Sequence, residues 1–462
     1  MSEHTPDSLI YGLEEKPAPL PAFLTALQHV LASLVGIITP PLIVGSVLGL
    51  NAYLPWLISM SLIVSGVGTF LQARRIFGIG AGMICLQGTS FAFLSVLLAA
   101  GFSVKSKGGG PEQIMAMIFG LTFVAAFIPM VVSHFLGQLR RVITPLVSGT
   151  VVCLIGISLI KVSITDWGGG HNVKDFGAPG NLLLGLLTLG TIVLFSRAHS
   201  RWLRLSAVIL GIAIGCIAAW FSGKLSWQPF NQAWIAVPQP FRFGFDFDYS
   251  LFLPLALISL ISILEAVGDL TANCLLSRQP IEGERYVARL KGGILADGVS
   301  CILAAMFSAL PSTTFAQNNG VIQMTGVASR HVGIWIGALL ALLGLFPVFG
   351  AIVQQIPAPV LGGATLVMFG SVLAAGIRIM TQSPLTRRDM LIIAVSFGIG
   401  LGIEAEPEFL SHLPAVCKSL FGSAIASGGL MAMLLNLVLP AERNDSDELT
   451  AQPVIDHPAI EK

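Results

Sequence analysis

The run Pro311-Ser312-Thr313-Thr314-Phe315-Ala316-Gln317-Asn318-Asn319-Gly320 is polar and poor in helix formers, yet it sits in a strongly apolar chain. Hydrophobic residues make up 54% of the 462, charged residues 11%, and the mean hydropathy is +0.83. An ordinary soluble domain carries about 25% charged residues. A soluble protein of this length could not cover its surface with so few charges. The composition excludes a cytosolic enzyme, a nucleic-acid binder and a disordered scaffold, and it points to a polytopic all-α membrane protein. The ten residues therefore fall at membrane depth. Non-helical backbone is tolerated there only where it is buried in protein or lines a cavity.

Working outward, apolar segments long enough to span a bilayer fall near 23–47, 54–72, 79–100, 113–134, 143–163, 180–196, 202–222, 250–277, 290–309, 312–328, 332–352, 360–379, 389–403 and 415–440. The third and tenth of these fourteen are poor helices. An even count puts both termini on one face. With both ends inside, inner segments hold 18 of the 25 Lys and Arg and outer segments 7, so both termini are expected in the cytoplasm. The polar end at 1–21 lacks the basic and short apolar regions of a cleavable signal, and 441–462 reads as a second polar tail. The six cysteines are scattered in apolar stretches without a C-x-x-C, as buried small hydrophobes rather than a disulfide frame or a zinc site.

The opening run has a counterpart. Thr89-Ser90-Phe91-Ala92 echoes Thr313-Thr314-Phe315-Ala316, and Pro145-Leu146-Val147-Ser148-Gly149 echoes Pro359-Val360-Leu361-Gly362-Gly363. Both pairs lie seven spans apart. Seven is odd, so the two halves are expected to be inverted repeats, a transporter signature with its site where the repeats meet. The third span carries Gly78, Gly80, Gly82 and Gly88, which disfavour a continuous helix just as the tenth span does. A half-helix that resumes after such a break offers free N–H groups and a positive dipole end.

Of the 24 acidic residues, only Glu265, Asp269 and Asp297 fall inside apolar spans. Glu265 and Asp269 stand four apart on one helix face, and Asp297 follows on the next span. An intramembrane carboxylate is a functional-site candidate by default, and no Lys or Arg lies deep in these spans to make a simple ion pair. His29 opens the first span and suits a proton relay as well as a packed interfacial position. Gln87, Thr89, Ser90, Gln317, Asn318 and Asn319 add neutral polar groups. Amides offer a donor and an acceptor side by side, which fits a flat uncharged heterocycle better than an ion.

Gln317-Asn318-Asn319-Gly320-Val321-Ile322-Gln323-Met324-Thr325-Gly326 resembles the Q/E-N-x-G-x4-T signature of the nucleobase–ascorbate (nucleobase–cation symporter-2) transporters. The resemblance extends over nearly the whole chain. It includes Gln28-His29, the segment Gln87-Gly88-Thr89-Ser90-Phe91, the pair Glu265 and Asp269, the run Leu290-Lys291-Gly292-Gly293 to Asp297, and Val360-Leu361-Gly362-Gly363-Ala364. It is closest in kind to bacterial xanthine permeases, because Asn319 with Gly326 is similar to their version of the signature, whereas uric-acid relatives carry Arg at the last position.

The resemblance implies fourteen spans in two inverted seven-span repeats, with short strands in the broken third and tenth spans. It implies a core domain at 22–138 and 249–353, a gate domain at 139–225 and 354–440, and cytoplasmic tails at 1–21 and 441–462. It further implies proton-coupled uptake of xanthine by alternating access across the bacterial inner membrane, in a homodimer, without cofactor or metal. Glu265 and Gln317 would be the main purine ligands. Phe91 would give a ring and backbone N–H, Ala316 backbone contacts, and Ser90 would line the site. Asp297, His29, Asp269 and Asn318 would support the site or carry the coupling proton. Some xanthine permeases have Asn where this chain has Ser90, so a broader purine range, uric acid included, is the alternative.

Other classes fit less well. An intramembrane aspartyl protease would use Asp269 and Asp297 on consecutive spans as a dyad, but it leaves the repeat and the amide-rich tenth span without a role. A wide ion channel does not need a mixed amide–carboxylate site. An anion exchanger would want a basic residue near the half-helix ends, and none stands at Ser90 or Gln317.

Overall fold

The computed structural model describes residues 9–139, 144–170, 173–200, 203–204, 206–225, 234–381, 384–413 and 421–440; the side chains at 137–139, 317 and 324 are outside the described set. The tail expected at 441–462 and Cys417 therefore lie outside the described residues.

The chain begins with α1 (Pro19–Val47) and α2 (Leu54–Arg74). Pro19 starts α1, where its missing N–H costs nothing. Arg75 then takes a left-handed conformation, φ 53°, and ends α2. The following glycine-rich segment cannot resume a helix. Gly80 has φ 114°, and a Cβ there would fall 2.2 Å from the Leu71 carbonyl oxygen. A short strand β1 (Gln87–Thr89) follows, then α3 (Leu94–Ser106) and α4 (Pro111–Leu139). Next come α5 (Pro145–Gly168), capped by the Thr144 hydroxyl accepting from the Val147 N–H, then α6 (Pro179–Ser196) and α7 (Ala207–Phe221).

The second half runs α8 (Phe252–Leu276), α9 (Gly283–Met306), strand β2 (Ser312–Thr314) and the nine-residue α10 (Gln317–Thr325). It continues with α11 (Arg330–Gly344), α12 (Pro347–Gln354), α13 (Ala358–Met380), α14 (Arg387–Ala405) and α15 (Ala424–Val438). The axes of α11 and α12 differ by 74° across the break before Pro347.

This is a multi-pass membrane protein. Among the described residues seven helices are long and apolar enough to cross a bilayer, or eight if α11 and α12 form one bent span. Length and composition thus fall short of the fourteen expected segments. In the third and tenth segments a strand takes up part of the length, and α3 and α10 are what remains for helix. The apolar helices α7 and α15 are also short.

Packing sorts the helices by neighbour. α5 runs against α13, and α6 packs on α7 and α13, while α14 pairs with α15. Elsewhere α2 lies against α11 and α9 against α4. The α5–α13 contact is backbone-close: a Cβ on Gly149 would sit 2.8 Å from the Gly376 oxygen, and one on Gly376 would sit 2.6 Å from the Cys153 nitrogen. Helix α8 touches both groups, meeting α4, α9, α10 and β2 on one side and α5 and α15 on the other. The two carboxylates at i and i+4 therefore sit on the helix between them.

A segment outside the spans, absent from the sequence expectations, ties the ends of several helices together. Aromatic residues alternate at Phe241, Phe243, Phe245, Phe247 and Tyr249, on a backbone that turns at 240–243, with Phe241 at φ 58° and Gly244 at φ 69°. The Phe245 ring stacks on Phe123 of α4 at 5.0 Å, Phe243 meets Tyr53 edge-on at 5.5 Å, and the Arg242 guanidinium lies 4.3 Å from the Trp56 ring centre. Asp248 closes the segment. It accepts from the Ser250 hydroxyl at 2.6 Å and pairs with Lys107 at 3.0 Å. These donors, the Ser250 hydroxyl first, hold the Asp248 carboxyl down at about 2.

Candidate functional site

The site begins with the two short strands. They pair antiparallel, with Gln87 opposite Thr314, Gly88 opposite Thr313 and Thr89 opposite Ser312, and all six residues are buried. The ladder continues one residue either way through Ser90 N–H to Pro311 O (2.8 Å) and Phe315 N–H to Leu86 O (3.0 Å). Gly88 is required here because the Phe315 ring lies against the strand, and a Cβ at Gly88 would stand 2.4 Å from the ring. Each strand leads into a short helix, β1 into α3 and β2 into α10. The positive ends of two helices thus converge on one buried pair of strands.

Beside the strands lies a cavity of about 30 Å³. Glu265 and Asp269 of α8 line it, with Ser90, Phe91, Thr313, Thr314, Phe315 and Ala316 from the strand ends. Val152 and Ile155 of α5, with Val372 and Ile379 of α13, close the opposite wall. The Glu265 Oε2 atom is buried without any hydrogen-bond partner, as is the Ser90 hydroxyl. An unpartnered buried polar atom costs on the order of 1–3 kcal/mol, so a ligand that donates to it is strongly favoured. The Phe91 ring meets Phe369 of α13 edge-on, with centroids 5.2 Å apart. A larger cavity of about 480 Å³ shares Asp269, Ala316, Val372 and Ile379 with the small one and widens past Asn319, Ser371 and Arg378.

The three intramembrane carboxylates have different surroundings. Asp297 of α9 is absent from the cavity wall. Its Oδ1 accepts from Gln87 Nε2 (2.6 Å) and Gln72 Nε2 (3.1 Å), and its Oδ2 accepts from the Thr313 hydroxyl (3.2 Å). Gln87 in turn accepts from the Ser312 hydroxyl at 3.1 Å, so Asp297 is bonded to both strands at once. Asp269 lines both cavities and accepts from Asn319 Nδ2 at 2.6 Å, which joins α8 to α10. Glu265 has the unpartnered oxygen. None of the ion pairs among the described residues involves these acids. A further acid falls just past the end expected for its span: Glu404, in the last turn of α14, accepts from the Ser158 hydroxyl of α5 at 2.7 Å.

Glu265, Asp269, Ser90, Phe91 and Ala316 thus meet around one cavity. His29 does not line it. His29 is fully buried on α1 beside Asn318, with neither ring nitrogen engaged in a full hydrogen bond. Asn318 donates to the Ile84 carbonyl at 2.5 Å, an oxygen it shares with Asn273 of α8 (2.6 Å). Gln317 opens α10, and its side chain lies outside the described residues.

Three contributors escape the sequence reading. Gln72 at the end of α2 donates to Asp297 and to the Gly293 carbonyl (2.9 Å) and accepts from the Ala81 N–H (3.0 Å). Its signal is a lone amide in an apolar span, the same signal that marked Gln87. Asn273 lies two turns beyond Glu265, and Phe369 carries no polar mark at all.

The Xan_ur_permease model, described as a permease family, matches residues 21–409. The chain is 46% identical to the xanthine permease XanP of Escherichia coli over 442 residues, covering 94% of this chain and 95% of that one. It is also 46% identical to the xanthine permease XanQ of the same organism, covering 95% of each. Among solved structures, the transmembrane domain of the cyanobacterial bicarbonate transporter BicA shares the fold with a TM-score of 0.53 at 16% identity, covering 92% of this chain and 99% of that domain.

Proposed function

The chain belongs to the nucleobase–ascorbate transporter family, and from that premise we propose that it carries xanthine across the membrane in symport with protons. The observation that carries the reading is the buried, unpartnered Glu265 oxygen on a residue that lines one small cavity with Phe91 and Ala316; at about 30 Å³ that cavity must open before a purine fits. Xanthine is flat and edged with N–H donors and C=O acceptors. An ionised Glu265 would accept from ring N–H groups, and charge-assisted bonds are roughly twice as strong as neutral ones. Phe91 would offer its ring face, and Gln317 would bond a donor and an acceptor together.

The same reading places fourteen spans in two inverted repeats. The paired strands β1 and β2, each leading into a short helix seven spans apart, support it. α1–α4 and α8–α12 would form a core domain, and α5–α7 and α13–α15 a gate domain, as the packing favours. The cavity walls then come from both: strand ends and α8 from the core, α5 and α13 from the gate. Sliding of one against the other would give elevator-like alternating access. Proton coupling would run through Asp269, Asp297, His29 and Asn318. The protein would sit in the bacterial inner membrane as a homodimer with both termini in the cytoplasm.

Radiolabelled xanthine uptake in cells lacking their own purine permeases tests this, with unlabelled competitors and a protonophore. Saturable uptake that collapses with the protonophore is expected. Glu265→Gln should raise KM roughly 10- to 100-fold, the loss of one charge-assisted partner. Wild-type uptake by that variant would contradict the site. Competition by uric acid or guanine as strong as by xanthine would favour the broader purine permease, for which the short Ser90 side chain with its free hydroxyl is the reason. An aspartyl dyad is disfavoured because Asp269 and Asp297 are each held by other partners, Asn319 on one side and Gln72, Gln87 and Thr313 on the other.

A further inference from the structure

Residues 10–15 read as part of a polar tail, yet they run alongside the joint between α10 and α11. The Ile10 N–H donates to the Gly326 carbonyl at 2.7 Å, Ala328 N–H donates to Tyr11 O at 2.9 Å, and Arg330 N–H donates to Leu13 O at 3.0 Å. Tyr11 and Val327 form a parallel bridge pair. The Ser329 hydroxyl, which caps α11, donates to the Glu15 carbonyl. Glu14 pairs with Arg330 at 2.7 Å. The Leu13 side chain is 6% exposed and packs with Ala81, Met83 and Leu290, which belong to the approach to β1 and to α9.

These contacts bear on the site through α10. Nine helical residues span only about 13 Å and do not hold together alone in solution. The first turn of α10 is tied inward by Asn318 and Asn319. Its last turn ends at Gly326 in the left-handed conformation, φ 68°, and the carbonyl of that residue is where the amino-terminal segment attaches. We propose that residues 10–15 form a strap that holds the far end of α10 and so sets where its carboxamides stand at the substrate site. Leu13, Glu14 and Arg330 are then positioning residues for substrate affinity, although none lines the cavity. The ion pair is the weaker part, since the Glu14 and Arg330 side chains are 65% and 34% exposed. The buried Leu13 and the backbone bonds carry more.

The functional arm of the test rests on the permease reading, so a second arm does not need transport. In cells, Leu13→Ala should raise the KM for xanthine about 3- to 10-fold at unchanged abundance in the membrane. Glu14→Arg should raise it less, and adding Arg330→Glu to that variant should restore it. In the purified full-length protein, deuterium exchange at the amides of 318–325 should rise in Leu13→Ala. Wild-type KM and wild-type exchange together, or a loss of abundance with KM intact, would overturn the strap. Should Leu13→Ala fail to accumulate, the pair Tyr11→Cys and Val327→Cys decides. Oxidation that leaves KM unchanged supports a strap that stays in place, and transport lost on oxidation and regained on reduction overturns it. A wild type that carries no purine sinks the permease reading alone and leaves exchange to judge the strap.

Discussion

Asp297 shows how much of the site is built from residues that never reach the cavity. Its carboxylate accepts three side-chain bonds, and Gln72 supplies one of them while also pinning the Ala81 N–H and the Gly293 carbonyl. Gln72→Leu removes all three links inside a fully buried cluster, at a cost of about 1–3 kcal/mol for each group left unpartnered. Xanthine uptake by this variant should fall severalfold with abundance reduced, whereas Gln72→Glu, which keeps an acceptor for Ala81 but brings a second acid beside Asp297, should fall further. Uptake kinetics normalised to membrane protein would read both. At this level the sequence was informative where chemistry is rare. Three acids in apolar spans stand out against lipid, and two of them line the cavity. Gln72, Asn273 and Phe369 did not stand out, because an amide near a span end and a phenylalanine in a span are ordinary until their neighbours are known.

Among the secondary-structure elements, the paired strands are the least forgiving. Gly88→Val would drive a branched side chain into the Phe315 ring, and overpacking of this kind costs about 1–3 kcal/mol. Loss of uptake is expected, with partial recovery when Phe315→Leu is added; uptake by the double variant below that of Gly88→Val alone would argue against the clash. The glycine pattern announced a break in the helix there, but not which ring would occupy the space. The aromatic segment ahead of α8 leaves no mark in a pattern of spans, because its apolar residues alternate with a period of two. Its anchor makes a pH prediction. Asp248 has a folded-state pKa of about 2 against an ordinary 3.8, so its ionised form stabilises the fold above about pH 4, and that contribution is lost as pH falls through 2. The melting temperature of Asp248→Asn in detergent should lie below that of the wild type at pH 5 and converge with it by pH 2.

For the molecule as a whole, length and composition made the bilayer unavoidable, and two short echoes between the halves are what the proposed duplicated architecture rests on. What they left out was the cavity, because its walls come from α5, α8, α13 and both strand ends, which are far apart in the chain. Arg378 marks the wide end, bonded to Gln323 of α10 at 3.1 Å. In the proposed orientation this end faces the cytoplasm. Ser371→Cys, on the wall of the wide cavity, should therefore be alkylated by an impermeant maleimide in inside-out vesicles and not in right-side-out ones, with saturating xanthine slowing the reaction. Equal labelling from both sides would remove the orientation. The two cavities share a wall at Asp269, Ala316, Val372 and Ile379, and that adjacency has a pharmacological corollary once the small one opens. A purine bearing a bulky arm could dock its ring at the narrow end while the arm stays wedged in the broad one, so compounds of that shape should act as plugs and not as cargo.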